Sequence, residues 1–269
     1  MRELSEAKLV ILKIGGSVIT DKNGELAAKT EPINRLAEEI KRADMDNLVI
    51  VHGGGSFGHP TAQKYGLQNG FKEDSQKLGF SETHHVMTVL NGLLMDALVW
   101  HNIPSLSIPP SSIVVTDNGR IKHFQDEIFH KCMDMDFTPV LHGDVVFDEK
   151  MGFTVLSGDQ LVAYLAMKLD ARKIVIGVDT DGIYDADPKT NPDANRYKNL
   201  NLEELKKIQS QLGKSQGTDV TGGMANKIAE LIPAVEKGIP VKIVNASRGS
   251  RVYRALTDQN IEGTLIEKA

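Results

Sequence analysis

Leu48-Val49-Ile50-Val51-His52-Gly53-Gly54-Gly55-Ser56-Phe57-Gly58-His59 is an apolar run that stops at three consecutive glycines. Four aliphatic residues in a row read as a strand buried on both faces, the pattern of a parallel sheet. The same pattern occurs near the amino terminus, where Leu9-Val10-Ile11-Leu12 leads through Lys13-Ile14 to Gly15-Gly16-Ser17. Glycine at a strand end lets backbone N–H groups converge on an anion without a Cβ in the way. A helix that starts there adds the positive end of its dipole. Two further clusters, Ser157-Gly158-Asp159 and Thr221-Gly222-Gly223-Met224, are read the same way, as strand ends of the one sheet. Ligands of open α/β sheets bind at such ends, so four of them predict a phosphate-rich ligand set.

Working outward, short apolar runs alternate with amphipathic stretches. Helices are predicted over Ile33–Ala43, Thr83–Trp100, Leu161–Lys168 and Met224–Glu236, and strands over Ile174–Ile176 and Val241–Val244. Two hairpins interrupt this rhythm. One places Ile113-Val114-Val115 and Ile121 about the turn Asp117-Asn118-Gly119. The other places Val140–Phe147 and Phe153–Leu156 about Glu149-Lys150-Met151-Gly152. The stretch Asp187–Asn199, rich in Pro, Asn and Asp, reads as a loop. Strands alternating with helices predict a mostly parallel sheet covered on both faces.

Composition narrows the function classes. The 269 residues carry a net charge of −5, with 41% hydrophobic and 25% charged residues. Acids and bases are mixed along the chain, so no basic footprint for nucleic acid exists, and an anion site must be built locally. The single cysteine, Cys132, forms no intrachain disulfide and has no metal motif around it, which fits a reducing, cytoplasmic compartment. The first residues lack the apolar core and small-residue cleavage pattern of a secretory signal. No apolar run approaches the roughly 20 residues that span a bilayer, so neither nucleic acid nor membrane is expected as a partner.

Two sharp motifs fit the second glycine cluster and compete for it. Gly53-x-Gly55-x-x-Gly58 matches a dinucleotide fingerprint, which requires a strand ending in an acidic residue about 20 positions later. Glu73 and Asp74 lie near that distance, but no clear strand precedes them. Gly54-x-Ser56-x-Gly58 matches a nucleophile elbow, and it leaves Lys13 and the Thr221 cluster without a role. No Walker A sequence occurs.

Five segments together resemble the amino-acid kinase superfamily, and within it the isopentenyl phosphate kinases. They are Leu12-Lys13-Ile14-Gly15-Gly16-Ser17-Val18-Ile19-Thr20-Asp21-Lys22, Val51 to Pro60, Ser157-Gly158-Asp159, Asp181 to Pro188, and Asp219-Val220-Thr221-Gly222-Gly223-Met224-x-x-Lys227. The resemblance covers nearly the whole chain. It implies a three-layer αβα sandwich, with an acceptor-binding half over roughly 1–165 and a nucleotide-binding half over roughly 166–269. It also implies transfer of the γ-phosphoryl group of ATP, arriving with Mg²⁺, to isopentenyl phosphate, a step in making isoprenoid precursors. His59, which closes the second motif, is shared by isopentenyl phosphate kinases and the related fosfomycin kinases, so a small phosphonate is the alternative acceptor. A homodimer is implied as well.

The resemblance distributes roles over the residues. Lys13 and Lys22 flank the transferring phosphoryl group, and Lys227 reaches the nucleotide phosphates. Asp159 orients Lys13 and Lys22 through ion pairs. His59 grips the acceptor phosphate, whose second pKa of about 6 leaves it ionised without a general base. Gly54 and Gly158 offer N–H groups to the acceptor; Gly15, Gly16, Ser17, Gly55 and Gly222 lie along the nucleotide phosphates, and Asp179 and Tyr184 border the nucleotide. Phe80, Thr83, Val145 and Val155 wall the acceptor's tail. No resident metal is expected. Each residue has an ordinary alternative as well: a strand-end lysine snorkels, a turn lysine is solvated, and an aspartate at a helix start is a cap.

Overall fold

The computed structural model describes residues 9–212 and 220–269. Strand β1 (Val10–Ile14) leads into one helical turn, α1 (Gly16–Ile19), and then α2 (Thr30–Ala43). Next come β2 (Leu48–His52), α3 (Gly55–Lys64), α4 (Ser75–Trp100) and the short strand β3 (Ser105–Ser107). The chain continues through α5 (Pro110–Ile113), the hairpin of β4 (Val114–Asp117) and β5 (Arg120–Phe124), then α6 (Glu127–Asp134) and β6 (Thr138–His142). A second hairpin, β7 (Asp144–Asp148) and β8 (Gly152–Leu156), precedes α7 (Gly158–Lys168) and β9 (Lys173–Val178). The remaining elements are β10 (Asn199–Leu200), α8 (Leu202–Leu212), α9 (Val220–Glu236), β11 (Val241–Asn245), α10 (Arg251–Leu256) and β12 (Thr264–Ile266).

Among the described residues one sheet has eight strands in the order β10-β12-β11-β9-β1-β2-β6-β3, parallel except where β12 meets β11. A smaller sheet has the order β5-β4-β7-β8. Side chains alternate across a strand, and the main sheet uses that alternation fully. Val10, Leu12, Ile14, Leu48 and Ile50 pack against α2, α4 and α10, through residues such as Leu36, Leu94 and Val252. Ile11, Val49, Val51, Ile174 and Ile176 pack on the opposite face against α7, α8 and α9, through Leu161, Leu205 and Leu231. The αβα sandwich expected from the sequence is thus formed, and Lys13, at an odd position of β1, points toward α7 and α9.

Three expectations need correction. The run Val140–Phe147 is not one strand. It breaks at Gly143 into β6 of the main sheet and β7 of the small one. Gly143 donates its N–H to the His52 carbonyl at 3.0 Å, and a Cβ there would lie 3.2 Å from Gly158 N, so the switch leaves little room for a side chain. Helix α4 begins eight residues before Thr83. Its first turn is held by Gln76, whose Oε1 accepts from Lys72 N and Glu73 N and whose Nε2 donates to Tyr65 O; apolar periodicity carries no trace of such polar anchoring. The glycine clusters also do not all end strands of one sheet. Ser157-Gly158 follows β8 of the small sheet, and Thr221-Gly222 falls in the first turn of α9, where the preceding described element is the helix α8.

The loops after β1 and β2 make their closest backbone approach where both carry glycine. A Cβ on Gly16 would fall on the backbone of Gly55, and one on Gly53 would lie 2.9 Å from Gly16 N. Gly55 also has φ +50°, and a Cβ there would run into the Thr20 hydroxyl. Gly55→Ala is therefore expected to destabilise the fold by about 1–3 kcal/mol, seen as a lower urea midpoint with an unchanged slope. A midpoint within error of the parent would show that the two loops do not approach this closely.

Candidate active site

Three helices start at the carboxyl-end rim, and their first N–H groups lack intrahelical acceptors. In α3, Ser56 N is satisfied by Thr20 Oγ1 at 3.1 Å, and that hydroxyl donates in turn to Gly16 O at 2.8 Å. In α7, the Ser157 hydroxyl accepts from Gln160 N at 3.1 Å. Gly15 N is taken by Gly177 O and Gly53 N by Ile14 O. These bonds fix the loops in place. The N–H groups of Gly16, Ser17, Gly55, Gly158 and Asp159 sit at the helix starts, where an anion is the natural acceptor.

Lys13 lies beneath this rim with its side chain 4% exposed, and its Nζ stands 2.8 Å from Asp159 Oδ1. Lys227, from α9, places its Nζ 3.1 and 3.3 Å from the two oxygens of the same carboxylate. Gly158 lets the backbone come close, since a Cβ there would already touch Lys13 Cε at 3.4 Å. Two ammonium groups thus share one carboxylate, leaving a surplus of one positive charge. Burial lowers the Lys13 pKa to about 8; Asp159 opposes the shift and Lys227 adds to it. Burial alone would raise the Asp159 carboxyl, but the charges of Lys13 and Lys227 hold it well below the usual carboxylate range.

Lys22 is placed differently from expectation. It does not pair with Asp159; its Nζ lies 3.9 Å from Asp179 Oδ2, and the side chain is 65% exposed. Asp179, just past β9, is held more closely by Lys189 at 2.7 Å. Burial would raise the Asp179 carboxyl, but Lys189 and then Lys22 hold it below its ordinary range. The physical reason is topological: Lys22 follows α1 into an exposed turn facing β9, whereas Lys13 and Lys227 come from elements packed against α7. Tyr184 is partly exposed and bridges to Arg196 in the loop between β9 and β10. His59 is exposed in the second turn of α3, after Gly54 and Gly55. Gly222 belongs to the first turn of α9, and its surroundings lie outside the described residues.

The residues expected to wall the acceptor's tail do come together. Val145 on β7 faces Val155 on β8, and both cluster with Phe80 and Phe153. Phe80 stacks on Phe147 at 5.3 Å between ring centroids. Val145 is fully buried, and Phe80 and Val155 are partly exposed. Thr83, three residues beyond Phe80 on α4, is buried with its hydroxyl unpartnered.

The sequence reading passed over a polar network under the glycine loops. His52 and His142 are register partners on β2 and β6, with ring centroids 5.3 Å apart. His52 Nε2 lies 3.2 Å from Asn91 Oδ1, and Asn91 donates to Ser107 Oγ at 2.7 Å. Burial, reinforced by His142, pushes the His52 pKa down to about 3, and burial lowers His142 too. His84 Nδ1 stands 2.9 Å from Asp144 Oδ2, a hydrogen bond that raises the imidazole's pKa. The parity of His52 within β2 was the available signal, because it sends the ring toward α4. The two competing motifs fail on geometry. Ser56 is buried and its hydroxyl has no hydrogen-bond partner, so nothing activates it as a nucleophile. Glu73 and Asp74 precede α4 rather than ending a strand.

Residues 8–245 match the Amino acid kinase family. The isopentenyl phosphate kinase of Methanothermobacter thermautotrophicus is 37% identical over 96% of this chain and 98% of its own length. That of Methanocaldococcus jannaschii is 36% identical over the same shares. A solved isopentenyl phosphate kinase structure superposes with a TM-score of 0.84 at 34% identity, covering 96% of this chain and all of the other. The chain belongs to the amino acid kinase family and, within it, to the isopentenyl phosphate kinases.

Proposed function

We propose that the chain transfers the γ-phosphoryl group of ATP to the phosphate of isopentenyl phosphate, forming the diphosphate. The observation that carries this reading is the unbalanced cluster of Lys13, Lys227 and Asp159 beside three helix starts. Phosphoryl transfer asks for positioning and charge stabilisation more than covalent chemistry, and lysines with amide donors supply both. The donor set fits polyanions. In this reading Mg²⁺ arrives with the nucleotide as co-substrate.

In this reading Lys13 and Lys22 stand on either side of the moving group, and Lys227 meets the nucleotide phosphates. The N–H groups of Gly16, Ser17, Gly55 and Gly222 line the triphosphate, Gly15 shapes the loop beside them with its own N–H bonded to Gly177 O, and the N–H groups of Gly54 and Gly158 serve the acceptor phosphate with His59. Asp159 orients Lys13 and Lys227 rather than Lys13 and Lys22. Asp179 and Tyr184 border the nucleotide. The tail lies against Phe80, Thr83, Val145 and Val155, where burial contributes about 0.8 kcal/mol per CH₂. The acceptor-binding half over roughly 1–165, the nucleotide-binding half over roughly 166–269 and the cytoplasmic location belong to the same proposal. Cys132, free and buried, is in keeping with that location, and no described helix is long and apolar enough to cross a membrane. So does a homodimer: the edge strand β3 presents Leu106, and Val99 and Trp100 are exposed at the end of the helix leading to it. Such an edge is ordinarily covered.

Coupled ADP release with isopentenyl phosphate, dimethylallyl phosphate and fosfomycin tests the acceptor. Isopentenyl phosphate is expected to be preferred, and faster turnover of fosfomycin would overturn the reading. His59→Ala is expected to cut transfer by about 100-fold or more, the loss of one positioned donor, while ATP still binds; lost ATP binding would remove His59 from the acceptor side.

Lys13 acts as an ammonium, and its native pKa of about 8 lies below the ordinary 10.5. The active protonated form is therefore lost as pH rises through 8, and kcat/KM, which reports the free enzyme, is expected to fall on that side. Lys13→Arg is expected to remove this basic limb, whatever its effect on rate, because guanidinium stays charged. A limb that persists unchanged in the arginine variant would assign it to another group. Light scattering is expected to give twice the chain mass, and a monomer at micromolar concentration would sink the dimer.

A further inference from the structure

We infer that Arg120 and Glu230 form a latch that positions Lys227, closing a ring of contacts from Asp159 back to Asp159. The Arg120 guanidinium grips Glu230 with both prongs, Nη1 to Oε1 at 2.7 Å and Nη2 to Oε2 at 2.9 Å. Glu230 stands three residues beyond Lys227 on α9, so both occupy one side of that helix. Arg120 opens β5, directly after the Asn118-Gly119 turn, in which both residues have positive φ.

The backbone on either side of Arg120 is fixed by one side chain. Gln160 Nε2 donates to Gly119 O at 3.0 Å, and Ile121 N donates to Gln160 Oε1 at 3.1 Å. Gln160 is buried and follows Asp159 in α7. The ring therefore runs from Asp159 to Gln160, across the turn to Arg120, through Glu230 to Lys227, and by the ion pair back to Asp159. The same turn is tied to the β7–β8 hairpin, because Asp148 accepts from Asn118 N and Gly119 N as well as from Lys150 N and Met151 N.

An exposed ion pair of long flexible side chains contributes little, since ordering both ends offsets the attraction. Here the arginine's backbone is already ordered and its fork meets the carboxylate with both prongs, which reduces that cost. Beyond the core packing of Ile228 and Leu231, the latch pins the polar side of α9 one turn from Lys227, so the Lys227 ammonium stays on Asp159. Arg120 and Glu230 are positioning residues, since they act through Lys227. This rests on the reading above that Lys227 meets the nucleotide phosphates.

Titration of MgATP into the full-length chain by calorimetry tests the latch. Arg120→Ala and Glu230→Ala are each expected to weaken MgATP binding by about fivefold, with isopentenyl phosphate binding and the melting temperature unchanged. Arg120→Lys, which keeps the charge without the fork, is expected to fall between them and the parent. The exchanged double variant, Arg120→Glu with Glu230→Arg, is expected to recover most of the loss. MgATP affinity within twofold of the parent in both alanine variants would overturn the latch, as would an exchanged variant that melts like the parent yet binds no better than the singles. ADP release by the parent with isopentenyl phosphate is scored separately. Its absence would defeat the functional reading, and the MgATP titrations would still decide the latch.

Discussion

One carboxylate holding two ammonium groups is the interaction on which the site depends. Asp159 neutralises only one of Lys13 and Lys227, so a buried surplus of positive charge remains in a chain whose net charge is −5. Removing charges from water is costly, and their mutual attraction offsets that cost only when the geometry is good. The depressed pKa of Lys13 shows that burial still outweighs its partner. Such a cluster adds little to stability for its own sake. A further anion placed against it would restore the charge balance and draw Lys13 back toward its ammonium form.

The rest of the sheet serves to bring that cluster to the rim. Strand β1 alternates Val10, Leu12 and Ile14 on one face with Ile11 and Lys13 on the other. A register slip of one residue would turn Lys13 away from α7 and α9. The apolar residues prevent it, because each face is already filled by helices. The position of the one charged side chain in the strand is therefore set by the packing of its uncharged neighbours. Glycine does the remaining work: at Gly16 and Gly55 it lets two loops touch, and at Gly158 it lets α7 start against Lys13.

Local signals of this kind were legible in the sequence. The strand ends at Gly15 and Gly53, the turn at Asn118-Gly119 and the helical stretch from Leu161 follow from short-range sterics and periodicity. The break at Gly143 was read through, although His142-Gly143-Asp144 interrupts the apolar run, because the contacts of Gly143 with His52 and Gly158 that accompany the change of sheet lie across separate elements. The partner of Lys22 was illegible for a related reason. Lys22 and Asp179 are separated by most of the fold, and nothing local tells Asp159 from Asp179 as its counter-ion. The same holds for His52, Asn91 and His142, whose polar contacts cross three elements.

The positive charge at the rim is divided rather than pooled. Asp159 carries Lys13 and Lys227, and Asp179 carries Lys22 and Lys189, so each carboxylate leaves one uncompensated ammonium. A single cluster of four lysines would repel itself and would have to be buried whole to act on a ligand. Division avoids both costs. The Asp159 cluster is buried and weakly screened, so its field stays strong at short range. The Asp179 cluster is partly open to water, and its longer Lys22 contact of 3.9 Å leaves that side chain free to turn. On the proposed function, two mutually repelling polyanions that meet end to end would need a fixed cation under the junction and an adaptable one beside it. The separation of Lys13 from Lys22 onto different carboxylates would supply that difference.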